Sequence, residues 1–397
     1  METLDLEQVN AFVLKKHHLT EGSVTDDILK VVRDIGGLHA TLSTTPYFSL
    51  FLRTKNFERK SLDELLYNRR LLGKVRFARK TVYILPKEHV TVAYAAMKAL
   101  LLNRFEVYIQ HLGITQDDYI DLTRAILAIV KGSGKTTKEI KAELKRVSNV
   151  SAIVNLMCDQ GLLIRGEPQS GWKSNIHTYY SFDEYFPDLD LNEMDESSAR
   201  KRMVEQYITS YGPVSARDIS WWTGFPKGEV NQLLDDMGQE LATVRISDFD
   251  GPFIILASDE GRMNSVKSMT KPQVSLLPAL DPYMMGYKER GRFLDEKIYD
   301  FIYDRSGNAT YSVLIDGRIE GVWDWADQKE PTIKYCLFKD HCSDIIDVLH
   351  SKAIKMGRFL FDEEPKIIEC DSMTPLSQRT MGGFISPLKS DKTGLKK

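Results

Sequence analysis

The chain has 397 residues, of which 42% are hydrophobic and 27% are charged, and its formal net charge is −3. This length predicts two to four domains with cores of their own, and the composition is that of an ordinary globular protein. No apolar run approaches the roughly 18 residues of a membrane span, and the acidic start lacks the basic segment of a signal peptide. The four cysteines are scattered without metal-ligand spacing, which indicates reduced thiols. We therefore expect a cytoplasmic protein with no membrane partner and no bound metal.

Residues 6–86 begin the chain with helical periodicity and end on two short strands. The apolar spacing and turn residues predict helices and then strands at 6–19, 25–41, 61–68, 74–78 and 81–86. Ten residues between Arg53 and Lys80 are basic and three are acidic. Strand alternation would place Arg79, Thr81 and Tyr83 along one wall of a cleft.

Residues 118–182 have the clearest pattern. Helices and then strands are predicted at 118–130, 138–147, 150–160, 162–169 and 177–182. Three helices followed by a hairpin indicate a winged helix-turn-helix, in which a polar third helix could reach phosphates or base edges. A second basic cluster, from Lys131 to Arg146, has six basic residues against two acidic ones.

A glycine-rich segment in this region resembles part of a phosphate-binding loop. The motif would need glycine five residues before Gly134, where Ile129 stands instead, and the segment joins two helices. We therefore expect no nucleotide cofactor.

The same order of elements recurs at 197–258, and from about residue 263 the pattern becomes alternating and β-rich, with a helix over 341–359. We predict an α+β chain of three tandem winged helix-turn-helix units and a C-terminal β-rich module with a small barrel or curved sheet. The expected parts are residues 1–115, 116–190, 195–262 and 263–397, the last ending in a disordered tail. Repeated winged helices with basic clusters favour a nucleic-acid partner, most simply double-stranded DNA bound by a monomer.

Three motifs connect the sequence to a known family. The segments are Leu277-Pro278-Ala279-Leu280-Asp281-Pro282 with Gly286 to Arg290, Val313 to Arg318 with Gly321-Val322-Trp323, and Arg79-Lys80-Thr81-Val82-Tyr83. Over nearly its whole length the chain resembles the AlkZ-like bacterial winged-helix DNA glycosylases. Tyr83 stands where this family usually has histidine.

The resemblance implies a monofunctional DNA repair glycosylase that needs no cofactor. Family members hydrolyse the N-glycosidic bond of alkylated bases, notably N7-alkylguanines, and some unhook interstrand crosslinks. Their catalytic motif, Gln-apolar-Gln or Gln-apolar-Asp after a glycine-leucine pair, falls on His39-Ala40-Thr41 here. The spacing of the family's motif is kept here, but both of its polar residues differ from those of the family.

This departure leaves two functions open. With an ordinary pKa of about 6.5, His39 could accept a proton from water, and activity should then fall below about pH 6. Thr41 could orient the water through its hydroxyl. Alternatively, His39 is a half-buried histidine bonded to the backbone, and the protein is a catalytically silent DNA binder such as a damage sensor, a resistance protein or a regulator.

The remaining matched residues also have two interpretations each. The residues expected to contact DNA are Arg76, Arg79, Lys80, Thr81, Tyr83, Lys135, Lys138 and Arg318. The residues expected to support the site are Asp281, Arg290, Asp316 and Trp323. Asp281 and Arg290 could pair across a turn, Asp316 could form a hairpin turn, and Trp323 is more often a core residue than a stacking platform.

Overall fold

The computed structural model describes residues 3–145, 147–266, 272–326, 330–371, 373–376 and 388. Within them the strands form four small sheets among the helices, so the α+β class is confirmed. No helix in these ranges is long and apolar enough to cross a bilayer. The tail from residue 386, which we predict to be disordered, lies outside the described residues except for Leu388.

The N-terminal part of the chain folds around one small antiparallel sheet. In chain order its elements are β1 (Thr3–Leu4), α1 (Leu6–Lys16), α2 (Ile28–Asp34), β2 (Leu38–His39), α3 (Thr45–Arg53), α4 (Arg59–Asp63), β3 (Leu72–Arg76), β4 (Val82–Pro86), α5 (Lys87–Leu102) and α6 (Phe105–His111). The sheet has the order β2-β4-β3. His39 lies opposite Tyr83, which in turn lies opposite Val75.

The predicted helix over 25–41 is wrong in its second half. Helix α2 ends at Asp34, and the chain turns through Gly36 and Gly37, whose φ angles are +70° and +100°. Residues with a side chain rarely adopt such angles. At Gly37 a Cβ atom would also lie 2.5 Å from a methyl carbon of Leu85. This turn places His39 on a strand instead of a helix.

The second part has the predicted order of three helices followed by a hairpin. Its elements are α7 (Gln116–Val130), β5 (Lys135–Thr136), α8 (Thr137–Leu144), α9 (Val150–Asp159), β6 (Leu163–Pro168), β7 (His177–Ser181) and α10 (Phe182–Tyr185). Thr115 and Thr136 each form a capping box that starts a helix. The sheet order is β5-β7-β6. Its assignment as a winged helix spanning 116–190 stays a prediction.

The third part repeats the plan and takes in the start of the chain. Its elements are α11 (Glu196–Tyr211), α12 (Ala216–Thr223), α13 (Lys227–Met237), β8 (Leu241–Ile246), β9 (Phe253–Leu256) and α14 (Glu260–Asn264). Strand β1 pairs in parallel with β8, with Thr3 opposite Arg245. The N-terminal strand therefore completes a sheet that is formed mostly by residues 241–256.

The C-terminal module forms an open sheet, so of the two predicted forms the described strands adopt the sheet and not the barrel. Its elements are β10 (Val274–Leu277), α15 (Pro282–Met285), α16 (Tyr299–Ile302), β11 (Ser312–Ile315), β12 (Arg318–Ala326), β13 (Thr332–Leu337), α17 (Ser343–Phe361) and β14 (Lys366–Glu369). The sheet order is β10-β11-β12-β13-β14, with β14 parallel to β13. A parallel connection needs a crossover helix, and α17 packs Leu349 and Met356 against the sheet residues Val274 and Ile333. Because α17 covers this apolar face, the strands need not close into a barrel.

Three of the parts share a core. One cluster of buried side chains includes Phe12, Tyr83, Trp222, Tyr283 and Val322. These residues come from the N-terminal, third and C-terminal parts of the chain. The sheet that carries the candidate motif is therefore held by packing from distant segments.

Candidate functional site

The His39-Ala40-Thr41 segment lies at an edge of the β2-β4-β3 sheet. The amide of Ala40 donates to the carbonyl oxygen of Val82 at 2.8 Å, so strand pairing continues one residue beyond β2. His39 is 2% exposed, whereas Thr41 is exposed. Of the two polar residues of the motif, only Thr41 presents its side chain to solvent.

The hydrogen bonds around His39 determine which nitrogen carries its proton. The hydroxyl of Thr81 lies 3.2 Å from Nε2 of His39 and donates its single proton to the carbonyl oxygen of Ala78 at 3.0 Å. Nε2 of His39 must then be the donor to Thr81. Nδ1 keeps its lone pair and faces the backbone amide of Thr41 at 3.5 Å. The imidazole thus joins the Thr81 turn to the exposed end of the motif.

The burial of His39 makes its imidazole a very weak base. Burial, together with the nearby positive charge of Arg79, lowers the pKa of His39 from 6.5 to about 3. The ring is therefore neutral throughout the pH range in which DNA is stable as a duplex. This lowered pKa speaks against our expectation that protonation of His39 reduces activity below pH 6, and that expectation stays untested.

The expected wall formed by Arg79, Thr81 and Tyr83 is not present. Arg79 lies in a short 3₁₀ turn with a φ of +53°, so it is outside the strand and shares no strand face with the other two. Tyr83 is 1% exposed and packs edge-on against the ring of Trp222. Thr81 is half-buried and holds His39. The turn after β3 breaks the alternation that the sequence pattern assumed.

Arg79 instead meets Arg290 from the C-terminal module. The guanidinium carbons of both arginines lie over the ring of Trp221, at 4.3 Å and 5.3 Å from its centroid. Arg79 donates to the carbonyl oxygen of Ser306, and Arg290 donates to that of Gly307, each at 3.0 Å. Two positive charges therefore hold one loop of the C-terminal module beside the motif.

Six of the ten basic residues of the 53–80 segment are buried or half-buried, and several of the ten are bound to other groups of the protein. Arg76 lies 2.9 Å from a carboxylate oxygen of Asp159, and Lys80 donates to the carbonyl oxygen of Leu100 at 3.0 Å. Lys74 is buried, and this burial, together with the charge of Arg165, lowers its pKa to about 8. The contacts of Arg76, Arg79 and Lys80 with DNA stay a prediction.

The second basic cluster is displayed to solvent. Lys135 begins the second sheet and is half-buried, and Lys138 lies on the exposed face of α8. No carboxylate in the described part of the chain forms an ion pair with either ammonium group. Arg146, the last basic residue of this cluster, lies outside the described residues. Lys135, whose charge also acts on Glu139, and Lys138 thus have no ion-pair partner that would compete with a phosphate.

The expected pairing of Asp281 with Arg290 is wrong. Asp281 accepts two hydrogen bonds from the guanidinium of Arg53, at 2.7 Å and 2.9 Å, and both side chains are 0% exposed. Ser49 adds a third donor at 3.2 Å. Arg290 does not reach this pair, and its guanidinium instead contacts the ring of Tyr303. Asp281 still supports the site, since it joins the C-terminal module to α3.

The β11-β12 hairpin carries the other matched residues. Asp316 lies at the turn with a φ of +48° and accepts a hydrogen bond from the amide of Gln273. Arg318 is half-buried and lines a cavity of about 630 Å³ in which Glu320 and several other acidic side chains also lie. Trp323 is fully buried and donates to the carbonyl oxygen of Leu277 at 2.8 Å. Asp316 and Trp323 are therefore structural, and insertion of Arg318 into a groove stays a prediction.

Sequence reasoning missed a loop that lies beside the motif. Residues 169–176 connect β6 to β7, and the side-chain oxygen of Asn175 accepts a hydrogen bond from the amide of Ser43 at 3.2 Å. Ser43 is two residues beyond Thr41. A tryptophan, Trp172, in an otherwise small and polar loop was the signal that could have indicated a packed position.

Comparison with known proteins adds a family and a fold. The chain matches the family described as DNA glycosylase AlkZ-like over residues 32–338. Among solved structures it is similar to the Streptomyces sahachiroi DNA glycosylase AlkZ, with 19% sequence identity and a TM-score of 0.76. This match covers 93% of the present chain and 100% of the Streptomyces chain, and at such identity it shows a common fold. No curated protein sequence matches the chain.

Proposed function

The chain belongs to the AlkZ-like DNA glycosylase family, and from this premise we propose that it removes N7-alkylated purines from double-stranded DNA. The bond that breaks is the N-glycosidic bond between the base and C1′ of the deoxyribose. An alkyl group at N7 gives the base a positive charge, so the electron pair of the broken bond neutralises the departing base. Water then attacks C1′ and loses a proton, which leaves an abasic site.

A site that does not protonate the departing base is sufficient for such a substrate. The base leaves without being protonated, and the protein must orient the water and stabilise a sugar with oxocarbenium character. The exposed hydroxyl of Thr41 can orient the water. His39 is a positioning residue in this proposal, because its buried, neutral ring links Thr81 to the backbone of Thr41. The observation that carries the proposal is this exposed hydroxyl in the register of the family's motif.

The sheet geometry favours a monofunctional enzyme. A glycosylase that also cleaves the strand can use an amine to attack C1′. The nearest lysine in this sheet is Lys74, which precedes Val75, the residue level with His39. Successive residues of a strand face opposite sides, so the ammonium of Lys74 lies on the other face of the sheet. Reduction with borohydride during turnover should therefore trap no covalent protein–DNA adduct.

Excision from a duplex that contains N7-methylguanine tests the function directly. Alkali-labile abasic sites should form faster than in a heat-only control without protein. The family's motif carries Gln or Asp at the second polar position, and a carboxylate there would stabilise a cationic sugar. Thr41→Asp should therefore raise the excision rate, and Thr41→Val should lower it. Equal rates in these two variants and the wild type would remove Thr41 from the mechanism.

The pH profile tests the assigned role of His39. Because the pKa of His39 is about 3, excision should be nearly constant between about pH 5 and pH 8. A loss of activity with an apparent pKa near 6 would show that the imidazole titrates and acts as a base. His39→Gln, which restores the family's residue and can still donate to Thr81, should be more active than His39→Ala.

One observation favours the alternative of a catalytically silent DNA binder. None of the described groups that contact His39, from Thr41, Arg79, Thr81 and Tyr83, is a carboxylate. A wild type that binds alkylated duplexes and excises no base, while Thr41→Asp gains activity, would establish this alternative. The binding measurement and the excision measurement therefore separate the two functions.

A further inference from the structure

The loop at residues 169–176 brings an apolar side chain to the edge of the motif. The amide of Gln169 donates to the carbonyl oxygen of Ile176 at 2.6 Å and closes the loop. Asn175 accepts from Ser43, so its neighbour Ile176 lies near the exposed end of the His39-Ala40-Thr41 segment. Ile176 is 55% exposed.

The loop is fixed by packing at its tip. The ring of Trp172 lies 5.2 Å from the ring of Tyr47 and 5.9 Å from the rings of both Phe48 and Phe359. The guanidinium carbon of Arg59 lies 5.3 Å from the same ring. These contacts attach the loop to α3 and to α17, since aromatic pairs at these distances stabilise their arrangement. Ile176 is therefore an exposed apolar side chain on a rigid support.

Exposure alone would mean little, because single apolar residues are common on protein surfaces. The position and the charge of its loop distinguish Ile176 from other exposed apolar residues. Its sequence, QSGWKSNI, has one lysine and no acidic residue, which suits the approach of a polyanion. The side chain is β-branched and stiff, so it can push between bases without losing much rotamer freedom.

We propose that Ile176 is a wedge that enters the base stack beside the target nucleotide. This inference rests on the proposed function. An enzyme that acts on a base must draw it out of the stack, and an apolar side chain that fills the gap offsets the lost stacking. Ile176 is a positioning residue in this scheme and takes no part in the chemical step.

The test compares two duplexes that carry the same N7-methylguanine. In one the lesion is paired with cytosine, and in the other it lies opposite an abasic site, where extrusion is easier. Ile176→Ala should lower kcat about tenfold on the paired duplex and change it little on the other. Ile176→Met keeps an apolar side chain of similar reach and should restore most of the loss. The matched control is Val107→Ala, because Val107 is also an exposed β-branched residue, at 64%, on the distant helix α6.

A fluorescence measurement separates the wedge from the chemistry. With 2-aminopurine next to the lesion, the wild type should raise the fluorescence on binding because the neighbouring base is unstacked, and Ile176→Ala should not. A wild type that raises the fluorescence without excising the base supports the wedge and overturns the proposed catalysis. The wedge is overturned if Ile176→Ala raises the fluorescence as the wild type does, or slows both duplexes equally. A wild type that does not bind the duplex overturns both proposals.

Discussion

Two segments of similar basic composition differ in how much of their positive charge faces solvent. Between Arg53 and Lys80 six of the ten basic side chains are buried or half-buried, and several of them meet carboxylates, carbonyl oxygens or aromatic rings. The other four, Lys55, Lys60, Arg69 and Lys80, are exposed. Between Lys131 and Lys145 the basic side chains lie on a solvent-facing helix and the loops around it. The difference comes from the elements that carry them. Lys74 and Arg76 lie on strand β3, where alternate side chains face opposite sides of a sheet that helices cover, whereas the surface helix α8 hides only one stripe.

Charge density along a sequence is therefore a poor guide to a DNA-binding surface. The inward charges should control stability, and the outward charges should control affinity for DNA. Substitutions in the two segments can test whether one controls stability and the other controls affinity for DNA.

The largest effect is expected at the buried pair of Arg53 and Asp281. Asp281→Asn would leave the guanidinium of Arg53 buried without a counter-charge, which typically costs about 3–5 kcal/mol of unfolding free energy. Urea unfolding followed by circular dichroism measures the loss. The double variant Arg53→Met with Asp281→Leu should recover part of it, because an apolar pair needs no compensation. A single variant as stable as the wild type would show that the pair does not hold the C-terminal module.

Lys74 should make stability depend on pH in the alkaline range. The folded chain releases this proton near pH 8, whereas the unfolded chain holds it until about pH 10.5. Between these values the unfolded state binds more protons, so the stability of the folded state rises with pH. The contribution is on the order of 3 kcal/mol over the whole window. Lys74→Met should abolish this rise. If the unfolding free energies of the variant and the wild type changed in parallel with pH, the burial of Lys74 would be contradicted.

Local signals in the sequence were enough to predict the second part of the fold. Residues 115–161 contain capping boxes, a regular apolar stripe and a closing glycine, and the helices begin and end near them. Helix α3 was missed because most of its residues, from Thr45 to Leu50, are buried and show no alternation of apolar and polar faces. The sequence pattern left a barrel and a curved sheet open because it does not reveal that α17 crosses over the sheet.

The candidate site depended on contacts that no local pattern contains. The resemblance gave the register of His39, but its hydrogen-bond partner Thr81 is 42 positions away and Arg79, whose charge lowers its pKa, also comes from beyond the motif. Asp281 finds its partner 228 positions away, in α3. The 169–176 loop contacts the end of the motif through Asn175 and is attached to α3 and α17 through Trp172. The spacing in the sequence indicated which residues could have a role in the site. Only the fold shows which of these residues face solvent.

A smaller effect is expected on the outward side of the comparison. Lys135→Gln with Lys138→Gln should weaken binding to duplexes of any sequence by about tenfold at moderate salt, because two phosphate contacts are lost. The plot of log affinity against log salt should become less steep by about 2. The unfolding free energy should stay within about 0.5 kcal/mol of the wild type, as for other surface substitutions. An unchanged salt dependence would show that α8 faces away from DNA.

The smallest effect is expected from Arg76→Gln, and it is the sharpest test of the comparison. The side chain of Arg76 is 31% exposed, and its guanidinium is paired with Asp159. Its loss should lower the unfolding free energy by at most about 1 kcal/mol, since partly exposed pairs contribute little. The pair with Asp159 neutralises the charge, so affinity for DNA and its salt dependence should not change, contrary to the expectation from the sequence that Arg76 contacts DNA. If Arg76→Gln weakens binding as strongly as Lys138→Gln, the pair with Asp159 must open when DNA binds. The inward charges of the 53–80 segment would then belong to the DNA surface after all, and Asp159→Asn, which frees the arginine, should strengthen binding.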